Sequence, residues 1–150
     1  MQAPDARMKR SLFLILVILA TAPLAVPWLA WTHPIAATLV RGFFSSLCHQ
    51  NPDRSFLIRG VPVAVCARCL GIYLGVVAGM LLPCKPATAM RWLAIALALN
   101  GLDAATELLG LHGNWIDARF LLGLLLGIAA GALMSGGALM PQRDKRPGLR

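Results

Sequence analysis

Three cysteines and a histidine carry the clearest chemical signal in this sequence. Cys66 and Cys69 are separated by two residues, and the pair Cys48-His49 precedes them by a loop long enough to fold back. At the start of a helix, a spacing of three residues directs both sulfurs to one face. The partial positive charge of a helix N-terminus and the adjacent Arg68 favour the thiolate, which is the form that binds metals and exchanges disulfides.

These residues are compatible with three kinds of site. In the first, Cys48, Cys66 and Cys69 bind a metal ion, and His49 is either a fourth ligand or a neighbouring acid or base. Zinc favours four such ligands, although they also suit another transition metal. In the second, Cys66 and Cys69 form a reversible disulfide that Cys48 resolves. In the third, the cysteines are packing residues or a structural disulfide. The spacing favours the metal site without excluding the others.

A second polar feature lies on the third apolar run, where Asn100, Asp103 and Glu107 share one helical face. Measured from the predicted start of that helix, Asp103 lies about 20 Å into a hydrocarbon core of about 30 Å. Charged residues at such depths usually face the interior of a helix bundle and mark functional sites. Arg68 and Arg119 are the available partners. The acids therefore either take part in the chemistry or form ion pairs that hold the helices together.

The composition identifies the medium that surrounds these residues. Hydrophobic residues make up 58% of the chain and charged residues only 13%, whereas soluble domains have about 25% charged residues. We therefore predict an all-α polytopic membrane protein with four transmembrane helices. Their apolar runs cover residues 11–31, 66–82, 90–111 and 120–140, within a single membrane domain over residues 11–140.

The first apolar run and the loop after it each allow a more specific prediction. Ala20-Thr21-Ala22 resembles a signal-peptide cleavage site, but apolar residues continue beyond it, which favours a retained helix. In the following loop, apolar residues recur at every fourth position, which predicts a short amphipathic helix at the membrane interface. The recurring residues are Ile35, Leu39, Phe43 and Leu47.

The distribution of charge predicts the topology. The net charge is +8, and the basic residues outside the loops cluster in residues 7–10, 85–91 and 143–150. Apolar runs separate these clusters, so they indicate membrane orientation rather than nucleic-acid binding. With four spans, the N-terminus (residues 1–10) and the basic tail (residues 141–150) both lie on the cytoplasmic side of a prokaryotic inner membrane. Five arginines fall on the outer side against this rule, so each should have a local partner: Arg41, Arg54, Arg59, Arg68 and Arg119.

Glycine recurs at every fourth residue on the second and fourth apolar runs. Small residues at this spacing let helix backbones approach closely, within one chain or between copies in a homo-oligomer. A smooth path for a substrate is the less favoured alternative. The residues are Gly71, Gly75 and Gly79 on the second run, and Gly123, Gly127 and Gly131 on the fourth.

The cysteine motifs and the third run combine in a pattern that extends over residues 44–128. Its main elements are Cys48-His49-Gln50, Cys66-Ala67-Arg68-Cys69, Gly101-Leu102-Asp103 and Arg119. This pattern resembles a family of small prokaryotic membrane proteins catalogued as domain of unknown function 2085. The family often has Gln at the position of Glu107 and Thr at that of Leu122, which makes Asp103 the stronger candidate of the two acids. The resemblance implies a membrane protein and supplies no activity.

Together these features predict an integral membrane protein with an extracytoplasmic Cys/His metal site. A metal there would activate water or polarise a lipid-borne substrate if the protein is an enzyme, which the sequence does not determine. One alternative is a membrane thiol-disulfide oxidoreductase that passes electrons to a quinone, and another is a non-enzymatic assembly factor or small transporter. The residues assigned to the site are Cys48, Cys66, Cys69 and His49 at the metal, and Asp103, Glu107, Arg68 and Arg119 in a cavity between the second and third spans.

Overall fold

The computed structural model describes residues 6–139 except residues 83, 112 and 114, and the side chains of residues 10–135 within that range. Most of this part is helical, as predicted. The helices are α1 (Ala6–Thr32), α2 (Pro34–Ser45), α3 (Ala67–Met80), α4 (Pro86–Leu108) and α5 (Ile116–Leu139). Between α2 and α3 lie a 3₁₀ turn (Pro52–Arg54) and an antiparallel hairpin of β1 (Leu57–Ile58) and β2 (Val61–Pro62). The basic tail at residues 141–150 and most of the turn predicted around His112 and Asn114 lie outside the described residues.

Two of the described helices are long and apolar enough to cross a membrane. They are Arg10–Thr32 of α1, with a mean hydropathy of 2.4, and Ile116–Ser135 of α5, with a mean hydropathy of 1.8. α3 has only 14 residues, which rise about 21 Å and fall short of a core of about 30 Å. α4 has 23 residues, but Asn100, Asp103 and Glu107 lower its hydropathy. The helical fold is thus confirmed, and two of the four predicted spans meet this criterion.

The glycine faces of α3 and α5 lie directly against each other. A Cβ added to Gly71 would lie 2.3 Å from the carbonyl oxygen of Phe120, and one added to Gly127 would lie 2.3 Å from that of Ile72. Contacts this short leave no space for any side chain, so the predicted role of these residues in helix packing is confirmed. In the folded chain the glycine faces of α3 and α5 cover each other.

The remaining helices pack around this pair through different partners. α4 packs on α5, and α1 packs on both α2 and α3. A small apolar core lies between α1, α2 and α3, where Val26, Phe44, Val65 and Leu70 are buried. α2 is the predicted amphipathic helix: Phe44 faces this core, whereas Ile35 and Leu39 are 78% and 70% exposed. Such an exposed apolar stripe is typical of a helix that lies on a membrane surface.

Candidate metal centre and adjacent ionic cluster

Three cysteine sulfurs come together where α3 begins. Cys66 is the N-cap residue of α3, Cys69 lies one turn further on, and Cys48 follows the end of α2. Each Sγ atom lies within 4.8 Å of the other two, and the Sγ atoms of Cys48 and Cys66 are 3.4 Å apart. Thiolates at 2.3 Å from a tetrahedral ion would be about 3.8 Å apart. The three side chains therefore fit one metal ion after small adjustments. We call Cys48, Cys66 and Cys69 the sulfur cluster.

Two prolines in α1 anchor the segment that leads into α3. Pro27 has no N–H group, so the carbonyl oxygen of Pro23 lacks its usual partner within the helix. That oxygen instead accepts a hydrogen bond from the N–H of Ala64, at 3.3 Å. Ala64 and Val65 are fully buried in the core between α1, α2 and α3. Cys66 therefore follows directly after an anchored, buried segment, which fixes the start of α3.

The loop after α2 is held in place by a chain of hydrogen bonds. Gln50 adopts a φ of +52°, a left-handed conformation that is uncommon for a residue other than glycine. Its side-chain amide donates to the carbonyl oxygen of Arg41 at 2.7 Å, and the Arg41 guanidinium donates to the carbonyl oxygen of Pro62. These bonds connect α2, the cysteine loop and the hairpin. Gln50 of the Cys-His-Gln element thus positions Cys48, a role that the sequence pattern did not reveal.

The environment of Cys48 stabilises its thiolate. Its Sγ accepts a hydrogen bond from the backbone N–H of Cys66 at 3.2 Å. Hydrogen bonds from the Cys66 and Cys69 thiols, together with backbone N–H groups of Cys66 and Gln50, hold the pKa of the Cys48 thiol well below its usual value, although burial opposes this effect. Because metal binding requires deprotonated sulfur, Cys48 is prepared for coordination at neutral pH.

His49 lies apart from the sulfur cluster. Its side chain is exposed, and it is not among the residues whose ligand atoms lie within 4.8 Å of one another. The structure therefore does not bring His49 to the position of a metal ligand, and the cluster found among the described residues consists of three thiols.

The two acids of α4 form ion pairs with arginines from three other parts of the chain. Asp103 pairs with Arg68 of α3. Glu107 pairs with Arg119 of α5 at 2.7 Å and with Arg54 of the 3₁₀ turn at 2.6 Å. The predicted partners Arg68 and Arg119 are confirmed, whereas Arg54 was expected only to have some local partner. We call these five residues the ionic cluster.

Four of the five outer arginines thus have the local partners that their positions required. Arg41 donates to the backbone of the hairpin, while Arg54, Arg68 and Arg119 belong to the ionic cluster. Arg59 is exposed in the hairpin turn.

Asn100, the third polar residue on this face of α4, connects α4 to α5, because its side-chain amide donates to the carbonyl oxygen of Leu122 at 3.0 Å.

The sulfur cluster and the ionic cluster lie on different sides of α3. Cys66, Cys69 and Tyr73 pack against the core that α1 and α2 help to form, whereas Arg68 extends towards α4. The spacing in the sequence requires this arrangement. Arg68 is two residues from Cys66 and one residue from Cys69, and such steps turn a side chain by about 200° and about 100° around the helix axis. The acids therefore do not line a cavity beneath the sulfurs as predicted. α5 packs against both α3 and α4, and Arg68 reaches Asp103 on a side of α3 away from Cys66 and Cys69.

The described cysteines are all free thiols in this structure. The separation of 3.4 Å between the Sγ atoms of Cys48 and Cys66 exceeds the roughly 2.05 Å of a disulfide. Cys84 lies beyond the far end of α3, next to the start of α4, and takes no part in the sulfur cluster. Cys84 is therefore a natural internal control for experiments on the other three.

Comparison with known proteins supports the resemblance seen in the motifs. The profile of a family described as "Predicted membrane protein (DUF2085)" matches residues 48–133, which include all three clustered cysteines and the ionic cluster. The chain belongs to this family. The matched region begins at Cys48 and excludes α1 and α2. All cysteines of the matched region except Cys84 belong to the sulfur cluster.

Two archaeal proteins are similar to this chain. An uncharacterised protein of Methanocaldococcus jannaschii is 41% identical over 91 residues, which are 56% of this chain and 58% of that protein. An uncharacterised protein of Methanothermobacter thermautotrophicus is 37% identical over 95 residues, which are 60% of this chain and 86% of that protein. The match thus spans less than two thirds of the Methanocaldococcus protein. No solved structure matches the chain significantly.

Proposed function

We propose that this protein is an integral membrane protein that binds a metal ion through Cys48, Cys66 and Cys69. The observation that carries the proposal is the convergence of the three sulfurs within 4.8 Å of one another. Two further features support it. The cluster includes the N-terminus of α3, whose partial positive charge stabilises thiolates. Backbone N–H groups also donate to the Cys48 sulfur, as is typical of groups that orient and stabilise metal ligands.

Zinc is the ion we propose for this site. A set of three protein ligands with a free fourth position is characteristic of catalytic zinc sites, while thiolates alone also suit copper(I). A bound zinc ion would supply a Lewis acid that polarises a carbonyl or phosphoryl group of a lipid-borne substrate or activates water. The chain's own part is to hold the ligands: the Pro23–Ala64 hydrogen bond fixes the start of α3, and Gln50 fixes the loop of Cys48.

We further propose that the chain crosses the prokaryotic inner membrane four times, with both termini in the cytoplasm and the sulfur cluster near the outer face. The hydropathy of α1 and α5 supports two of these spans. For α3 and α4, the support is that α5 packs against both, so a membrane-embedded α5 brings its neighbours into the bilayer. The ionic cluster compensates the charges that α4 would carry there.

Metal analysis of the purified full-length protein tests the proposed site. We expect about one equivalent of metal in the unaltered protein and in Cys84→Ser, because Cys84 lies outside the cluster. Cys66→Ser should lose most of the metal, since two thiolates no longer complete a site. Retention of the metal by Cys66→Ser, or its absence from the unaltered protein after loading with zinc, would contradict the proposal.

The separation of 3.4 Å between the Cys48 and Cys66 sulfurs also favours a second candidate, a thiol-disulfide oxidoreductase. Oxidation of these two thiols to a disulfide releases two electrons and two protons, and a membrane quinone that accepts them becomes a quinol. Trapping of free thiols in cells with and without respiratory quinones distinguishes the two functions. If the protein is an oxidoreductase, Cys48 and Cys66 should be protected from the trapping reagent only in cells that contain quinone. If it binds a metal, Cys48, Cys66 and Cys69 should all be reduced in both kinds of cell.

A further inference from the structure

A groove lies between α4 and α5, at the end of the molecule away from the sulfur cluster. Its volume is about 340 Å³, within the range of roughly 300–1,000 Å³ that is usual for sites of small molecules. Most of its lining is apolar: Trp92, Ile95 and Leu99 of α4, and Leu125, Ile128 and Ala129 of α5. The groove shares no residue with the sulfur cluster or the ionic cluster.

Alanines create this groove. Ala89 and Ala96 of α4 and Ala129 of α5 are buried, with 4% or less of their surface exposed. They let the two helix backbones approach without filling the space between the larger side chains around them. Trp92 and Ile95 are about half exposed, at 58% and 49%. The groove is therefore open on the side of the bundle, where lipid surrounds a membrane protein.

Two cations lie at the end of the groove where α4 begins. Lys85 is the N-cap residue of α4 and adjoins Cys84, which lines the groove. Arg91 lies four residues before Ile95, which lines the groove, so the two residues share one face of α4. Both cations are exposed. The chain has no Asp or Glu between Asp53 and Asp103, and no ion pair of Lys85 or Arg91 occurs among the described residues. Within the described part of the chain, this end of the groove thus has a net positive charge.

We propose that the groove binds an acyl chain of an anionic phospholipid, with the phosphate of its headgroup at Lys85 and Arg91. An acyl chain gains little from leaving other lipid chains for an apolar helix surface. The shape of the groove therefore determines how well the acyl chain fits, and the two cations determine the selectivity for anionic headgroups. Basic residues at a membrane surface attract anionic lipid, each by a factor of about five. This site is independent of metal binding.

Native mass spectrometry of the full-length protein tests this site. The protein in detergent is titrated with equal amounts of phosphatidylglycerol and phosphatidylcholine that carry identical acyl chains. We expect one phosphatidylglycerol to bind in preference to phosphatidylcholine. Lys85→Gln and Arg91→Gln should each reduce this preference by about fivefold. Arg59→Gln, which removes an exposed cation from the hairpin, should leave the preference unchanged. An unchanged preference in the Lys85→Gln/Arg91→Gln double variant would overturn the proposal.

A second variant tests the groove itself. Ala129→Leu places extra volume in the groove and should weaken the binding of both lipids equally. Since this change could also disturb the contact between α4 and α5, the two exposed cations remain the deciding variants. An excess of inorganic phosphate should not displace phosphatidylglycerol, and displacement would show a phosphate site instead of a lipid site. A lipid-free dimer would likewise reject the proposal, because it would assign the groove to a second copy of the chain.

Discussion

At the residue scale, the difference between Cys48 and its neighbour His49 shows what determines a ligand here. Both residues belong to the Cys-His-Gln element, yet Cys48 is 6% exposed and faces two other sulfurs, while His49 faces outward. Hydrogen bonds to the Cys48 sulfur favour its ionised form. The chemistry of the site therefore depends on the direction of one short loop as much as on the residue types.

The lowered pKa of Cys48 predicts a thiolate in the metal-free protein at neutral pH. Thiolate absorption near 240 nm should persist as the pH falls from 8 to 6 and should be lost in Cys48→Ser, because an ordinary thiol with a pKa of 9.0 is largely protonated over this range. In the unfolded chain Cys48 has its usual pKa of 9.0. Its contribution to stability is thus full above about pH 9 and declines as the pH falls towards the folded pKa. Loss of the absorption by pH 8 would contradict this assignment.

The pair of Arg68 and Asp103 predicts a coupling that is separate from metal binding. A double-mutant cycle with Arg68→Gln and Asp103→Asn should give a coupling free energy of about 1–3 kcal/mol in unfolding measurements, since the side chains are largely buried. The exposed Asp117→Asn serves as the control and should change stability little. Metal content should stay the same in Asp103→Asn, because the sulfurs lie on another side of α3. A loss of metal would show that the two clusters act as one site.

At the element scale, the contact between α3 and α5 organises the molecule. Glycines on both helices bring the backbones so close that carbonyl oxygens lie only 2.2–2.4 Å from the positions that Cβ atoms would take. Because α3 is fixed on α5, its N-terminus presents Cys66 and Cys69 to α1 and α2, while Arg68 extends to α4. One rigid helix pair thus separates a sulfur side from an ionic side.

Gly75→Ala should therefore destabilise the protein strongly. The new Cβ would lie 2.4 Å from the carbonyl oxygen of Leu124, so the helices must move apart, at a cost of about 1–3 kcal/mol or more. Gly101→Ala in α4 is the matched control, because nothing lies within 4 Å of its Cβ position. It should be neutral or stabilising by about 0.5–1 kcal/mol, as expected for alanine in a helix. Equal effects of the two changes in thermal unfolding would contradict the described contact.

At the scale of the whole molecule, the proposed topology places the hairpin outside and the start of α4 inside. Cysteines introduced at two exposed cations, Arg59→Cys and Lys85→Cys, test this in a Cys84→Ser background. A membrane-impermeant maleimide should label Arg59→Cys in intact cells and Lys85→Cys only after the inner membrane is opened. The Cys84→Ser background alone measures any labelling of the clustered cysteines. Labelling of both positions from the same side would contradict four spans.

The sequence by itself determined the features that follow from local periodicity and composition. Glycine spacing predicted the faces that bring α3 and α5 together, and apolar spacing predicted α2 as an amphipathic helix. The motifs also predicted the family, and they predicted that Cys48, Cys66 and Cys69 lie close to one another. These properties are local because a helix places residues three or four apart on one face whatever surrounds it.

Only the tertiary structure decided which of these faces meet. Asp103 and the cysteines were expected to share a cavity, but Cys66 and Cys69 face the core with α1 and α2, whereas Arg68 pairs with Asp103 of α4. Similarly, the pairing of Arg54 with Glu107 joins residues from the 3₁₀ turn and α4 that no sequence spacing connects. The order of helices around a bundle depends on which surfaces fit most closely over long sequence separations. Periodicity identifies each surface but not its partner.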